Sequence, residues 1–215
     1  MIKRVSVLVA FSLLFSIILG LTIGVFDAGD SFAYAALGEY LLHGRLLPMI
    51  PFNLDHPQTL FAPIYALFIT PLLSLPLPWG SISLPIAQFL LLLGSATILF
   101  FIISRVFPKR WAAVGAFIFI FLPFNLIHPT LIMSETLTEF LVTVYILVLF
   151  LRADGLLFFL SCILVLTRYA FLPCFGMTLI LYIKNFRSVP IHHHLLSILG
   201  ILLIASWILF NHSVN

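Results

Sequence analysis

FDAGDSFAYAALGEYLLHGR, residues 26–45, sets three carboxylates (Asp27, Asp30, Glu39) and an arginine (Arg45) directly after an apolar run from about Val5 to Phe26. That run is long enough to cross about 30 Å of hydrocarbon. The whole chain has only seven Asp and Glu in 215 residues, so this local concentration of acid needs a reason. From Asp30 to Leu42 the pattern is helical. Phe32, Ala36 and Tyr40 share one face, Tyr34, Leu37 and Leu41 the adjacent one, and Gly44 ends the run. A segment this short and polar does not span, so a juxtamembrane helix lying at the interface is expected.

Working outward, the composition says why a membrane is the reference solvent. The chain is 63% hydrophobic and 8% charged, with a mean hydropathy of +1.25, against about 25% charged residues in soluble domains. The net charge of +3 does not point to nucleic acid, because the basic residues lie in short clusters between apolar runs, as membrane-orienting charges do. Cys162 and Cys174 both fall in apolar segments and read as buried thiols. The first apolar run reads as a retained helix rather than a cleaved signal peptide.

Lys3 and Arg4 before that run place the N-terminus in the cytoplasm. Residues 26–45 then face outward. A proline-rich turn follows, with Asp55 beside His56-Pro57, and then an apolar segment from Thr59 to Pro78 interrupted by Pro63, Pro71, Pro76 and Pro78. If that segment crossed, the cluster Arg105, Lys109 and Arg110 would lie outside. It is therefore read as a broken, interfacial or re-entrant part of the first outer loop. Later spans are expected at about Leu84–Ser104, Trp111–Ile127, Thr136–Leu151, Gly155–Thr167, Ala170–Ile183 and Leu195–Phe210, giving about seven transmembrane helices in one all-α membrane domain over 1–215. The C-terminus is then extracytoplasmic. Lys3, Arg4, Arg105, Lys109, Arg110, Arg152, Lys184 and Arg187 lie inside, while Asp27, Asp30, Glu39, Asp55, Glu135 and Glu139 lie at the outer face. Arg45 and Arg168 are the outer exceptions. An acid-rich outer pocket with two arginines suits phosphate binding and acid–base chemistry. The triplet His192-His193-His194 reads as an interfacial loop on the inner side rather than a metal tract.

These motifs, in this order, resemble the GT-C membrane glycosyltransferases, the group that includes protein O-mannosyltransferases and lipid A aminoarabinose transferases. Asp30 with Tyr34 and Leu41-Leu42-His43-Gly44-Arg45 is similar to the family's first outer loop. His56-Pro57 resembles its His/Pro turn, and Pro129 through Ser134-Glu135-Thr136-Leu137 its second acidic motif. Gly155 through Leu166-Thr167-Arg168 resembles the short helix leading to an arginine. Many members carry Asp-Glu where this chain has Asp30-Ser31, and they usually continue through further helices, so the resemblance implies an N-terminal module, with a second subunit as one way of completing the fold.

The resemblance implies transfer of a sugar from a polyprenyl-phosphate donor to a lipid, glycan or protein acceptor at the extracytoplasmic face of the cell membrane. Such a transfer builds oxocarbenium-like charge and takes a proton from the acceptor hydroxyl. On this reading Asp30 is the general base, with Asp27 the alternative. Glu135 either orients the acceptor or holds a divalent cation, Mg²⁺ or Mn²⁺, together with Asp30. Arg168, then Arg45, bind the donor phosphate, His56 contacts it, and Tyr34 lines the sugar pocket. Each has a blander role: Asp30 as a helix N-cap, Glu135 as a dipole partner, Arg168 as a snorkelling cation. A transporter or flippase is the competing class, since broken helices also mark substrate paths, and an inert subunit of a larger complex is a third. Transport predicts ionisable groups near the bilayer midplane; here they lie mostly at the outer boundary.

Overall fold

Proline and glycine punctuation sets most helix ends in the computed structural model, which describes residues 31–44, 61–76 and 79–214, together with Ile18. The expected first span, about Val5–Phe26, lies outside these residues. Helix α1 is Ser31–His43, within a residue of the expected segment. Gly44 closes it with φ +65°, a left-handed conformation that glycine adopts without steric cost, and its N–H donates to the Tyr40 carbonyl at 2.9 Å.

Inside the proline-interrupted segment, α2 runs Pro63–Leu73, with Pro63 in the first turn, where its missing N–H costs nothing. Pro71 sits near the C-terminal end, and α2 stops two residues later. The long α3, Trp79–Val106, absorbs Pro85, so it begins five residues before the expected start at Leu84. After Pro108 come α4, Lys109–Phe121, and α5, Pro123–Ile127. Then follow α6 (Glu135–Leu151), α7 (Asp154–Thr167), α8 (Leu172–Asn185) and α9 (Ile191–Val214). No strand occurs among the described residues.

Two helices are long and apolar enough to cross a membrane, Ile82–Val106 and Ile191–Ser213. A third crossing exists if α4 and the Pro123–Thr130 segment, bent by 60°, count as one span. The described residues therefore support two or three spans and not the six later spans expected from the apolar runs. The single helix expected at Trp111–Ile127 is broken because Pro123 forces Leu122 out of the helical region, to φ −58° and ψ 132°. The segments expected at Thr136–Leu151, Gly155–Thr167 and Ala170–Ile183 form helices of 17, 14 and 14 residues. At 1.5 Å per residue these reach about 25, 21 and 21 Å, short of about 30 Å of hydrocarbon. Apolarity extended past the points where Arg152, Arg168 and the adjoining turns end the helices.

Helix α7 lies at the centre, packed on α6, α8 and α9, while α3 packs against α4 and α6 and α1 against α2. One core gathers Tyr34, Leu37, Tyr65, Ile69, Leu84 and Trp207 from four helices. Only 17% of the apolar window of α9 is buried, so most of that helix presents Leu and Ile outward, as a lipid-facing helix does.

Small residues set the closest helix approaches. A Cβ on Gly38 of α1 would collide with Thr70 Oγ1 of α2 and stand 2.9 Å from the Ala66 carbonyl oxygen. Thr70 cannot swing away freely, because its hydroxyl donates to that same carbonyl at 2.7 Å. Gly38→Ala is thus expected to lose about 1–3 kcal/mol by overpacking, outweighing the roughly 1 kcal/mol gained in helix propensity. Gly176→Ala in α8, whose Cβ would meet nothing within 4 Å, serves as the control. Thermal melts in detergent should show a lowered Tm for the first and an unchanged or raised Tm for the second.

Candidate functional site

The N-terminal end of α6 and the C-terminal end of α7 come together beside the start of α1. Glu135 occupies the first turn of α6, where the helix dipole favours an anion. Arg168 follows the last residue of α7 in extended backbone, φ −152° and ψ 124°, which carries its side chain clear of the helix. Its Nη1 donates to Glu135 Oε1 at 2.8 Å. The arginine side chain is 42% exposed and the glutamate 22%, so the pair sits at a boundary, with guanidinium N–H groups left over for another anion. The second oxygen of the carboxylate, Oε2, is enclosed and has no hydrogen-bond partner among the described residues.

The start of α1 is pinned to the segment before α6. Ser31 Oγ donates to the Ile132 carbonyl at 3.1 Å, and the Tyr34 hydroxyl donates to Ser134 Oγ at 3.3 Å. The Tyr34 ring packs edge-on against Phe61 and Tyr65, with centroids 5.0 and 4.8 Å away. Tyr34 is buried, so what it does in this arrangement is hold α1 against the Glu135 turn. Tyr65 lies behind it, its hydroxyl donating to Gln88 Oε1 at 3.4 Å. Burial, and after it the neighbouring Tyr34 and Glu135, hold the Tyr65 phenol far above its ordinary range, which keeps it a donor.

Asp27, Asp30, Arg45 and His56 lie outside the described residues. Of the sequence-predicted set, the structure therefore brings together Tyr34, Glu135 and Arg168. A divalent cation held by Asp30 and Glu135 has Glu135 as its sole described ligand, and that residue's Oε1 is engaged by Arg168. Among the described residues no three His, Cys, Asp or Glu side chains come together to hold a metal ion.

Two further features, the bonds of Gln88 and of Trp207, were not anticipated, while Glu139 pairs with a neighbour as its position one turn from Glu135 suggests. Gln88, fully buried in α3, donates to the Pro129 and Leu131 carbonyls at 3.2 and 2.8 Å. The signal was present: one amide in an otherwise apolar span. Glu139, one turn after Glu135, stands 3.9 Å from His128 Nδ1, an ion pair when the imidazole is protonated. At the far end of the chain, Trp207 Nε1 donates to the Tyr169 hydroxyl at 2.8 Å, tying α9 to the residue after Arg168. The histidine triplet forms the first turn of α9 rather than a loop. Its His194 Nδ1 bonds the Tyr182 hydroxyl, because the helix starts directly after Pro190.

No protein-family model, curated protein or solved structure matches the chain.

Proposed function

We propose that this chain is a membrane glycosyltransferase of the GT-C kind, or the N-terminal membrane module of one. It would take a polyprenyl-phosphate-linked sugar as donor and a lipid, glycan or protein hydroxyl as acceptor, at the extracytoplasmic face of the cell membrane. The observation that supports this reading is the Arg168–Glu135 pair, joined from the ends of two different helices at the edge of the apolar core and set beside the start of α1. A partly exposed guanidinium held in place by a carboxylate is suited to a phosphate leaving group.

In the proposed inverting transfer, Asp30 takes the acceptor hydroxyl proton as the acceptor oxygen attacks the anomeric carbon. The anomeric C–O bond breaks with its electron pair going to the departing polyprenyl phosphate, and Arg168 neutralises the charge that develops there. Glu135 acts through Arg168, fixing the guanidinium that would otherwise follow the headgroups. The reading also retains the assignments of Arg45 and His56 to the donor phosphate.

The direct test is an assay of the full chain, reconstituted in vesicles, with a radiolabelled polyprenyl-phosphate-linked sugar and a panel of hydroxyl acceptors. Transfer dependent on Arg168 and Glu135 is expected. Donor binding without turnover would instead favour the inert-subunit or transport readings.

A further inference from the structure

A second place on the molecule, away from the Arg168–Glu135 pair, combines charge and apolar shape. The hairpin between α3 and α4 carries Arg105, Lys109 and Arg110 around Pro108, and all three are exposed. None of them has an ion-pair partner among the described residues, and no acid occurs in the sequence between Asp55 and Glu135. An open cleft of about 360 Å³ at the same hairpin is lined by Ile103, Phe107 and Trp111. Phe107 and Trp111 are 57% and 56% exposed, which in water would be a cost and at a bilayer boundary is the usual place for an aromatic ring.

Arg110 is held next to that apolar wall, and Arg105 lies over a ring one turn back along α3. The Arg105 guanidinium lies 5.5 Å from the centre of the Phe101 ring, and the Arg110 guanidinium 5.9 Å from that of Trp111, both within cation–π range. Gly115 lets α4 approach α3, since a Cβ there would stand 3.0 Å from Ile103 Cδ1. The result is an apolar cleft beside a turn that carries three positive charges with no acid against them among the described residues.

We propose that this hairpin binds one anionic diacyl phospholipid, its headgroup phosphate on Arg105, Lys109 and Arg110 and the start of an acyl chain against Ile103, Phe107 and Trp111. Charge complementarity selects an anionic headgroup over a zwitterionic one, and the apolar wall selects a lipid over a soluble phosphate. The inference does not rest on sugar transfer.

The test is native mass spectrometry of the full chain released from nanodiscs of phosphatidylcholine mixed with phosphatidylglycerol. The wild type is expected to retain phosphatidylglycerol over phosphatidylcholine, and the variant Arg105→Gln/Lys109→Gln/Arg110→Gln to lose that preference by about tenfold or more. The comparison variant Arg152→Gln/Lys184→Gln/Arg187→Gln, neutralised at other turns, should keep it. Equal loss in both variants would show general attraction to a charged surface and overturn the site. Equal retention of the two lipids by the wild type would also overturn it, as would displacement of the bound lipid by glycerol phosphate, which has the headgroup charge without the chains. Circular dichroism checks that the triple variant is folded. Trp111→Ala, which keeps all three charges, should weaken retention too; an unchanged preference there would remove the cleft from the proposal.

Discussion

Asp30→Asn is expected to lower sugar transfer by about 10³-fold, within the 10²–10⁴-fold span typical of a positioned general base. The substitution keeps the size of the side chain and removes only its capacity to accept the acceptor proton. Donor binding should therefore persist, so kcat falls while KM for the donor changes little. Asp30→Glu, which restores a carboxylate on a longer arm, is expected to recover part of the rate. The alternative base gives the opposite pattern: a near-normal rate in Asp30→Asn together with loss in Asp27→Asn would move the proton to Asp27. Asp30 is also well suited to cap α1, which begins at the next residue. The substitution separates the two roles, because Asn is as good a cap as Asp: a residue that only caps would leave both Tm and transfer unchanged, whereas the base loses transfer at an unchanged Tm.

Arg168→Ala carries the second large effect, a loss of roughly 10²–10³-fold in kcat/KM for the donor. The guanidinium is proposed to meet the phosphate as charge accumulates on it, so kcat should fall along with the rise in KM. Arg168→Lys keeps the charge but not the planar fork that engages Glu135 and an anion together, and an intermediate value is expected. Glu135→Gln separates positioning from charge. The arginine stays cationic, the 2.8 Å contact loses its charge assistance, and transfer should drop less than in Arg168→Ala. Were Arg168→Ala to transfer sugar at the wild-type rate, Arg168 would be a snorkelling cation and the donor phosphate would be sought at Arg45 instead.

The local signals were legible in the chain because they depend on neighbours in sequence. Gly44 as the stop of α1, the short helix beginning near Asp30 and the start of α7, expected at Gly155 and found at Asp154, all follow from residue chemistry within a turn or two. The break at Leu122–Pro123 was equally local, yet the apolarity of Trp111–Ile127 concealed it, since hydropathy does not register a missing N–H. The number of spans was overestimated for the same reason: apolar composition says that a helix avoids water and not that it reaches across 30 Å. Glu135 and Arg168 could be singled out as unusual charges. Their contact could not be read, because it joins residues 33 positions apart through the packing of α6 on α7. Gln88 was overlooked as one polar residue within a long apolar run. Its three partners come from α2 and from the turn after α5, and only the folded arrangement names them.

That amide has a consequence for how the protein is made. When α3 leaves the ribosome, the carbonyls of Pro129 and Leu131 have not yet been synthesised, and Gln88 must enter the bilayer with its N–H groups unpaired or wait at the translocation channel. An unpaired amide in hydrocarbon costs several kcal/mol. Forty-three residues later in the chain both acceptors exist, and the bend at Pro123 leads the chain back to α3. The stretch from the start of α3 through Leu131 is thus the smallest that supplies the Gln88 N–H groups with both acceptors, and it precedes α6 to α9 in the chain.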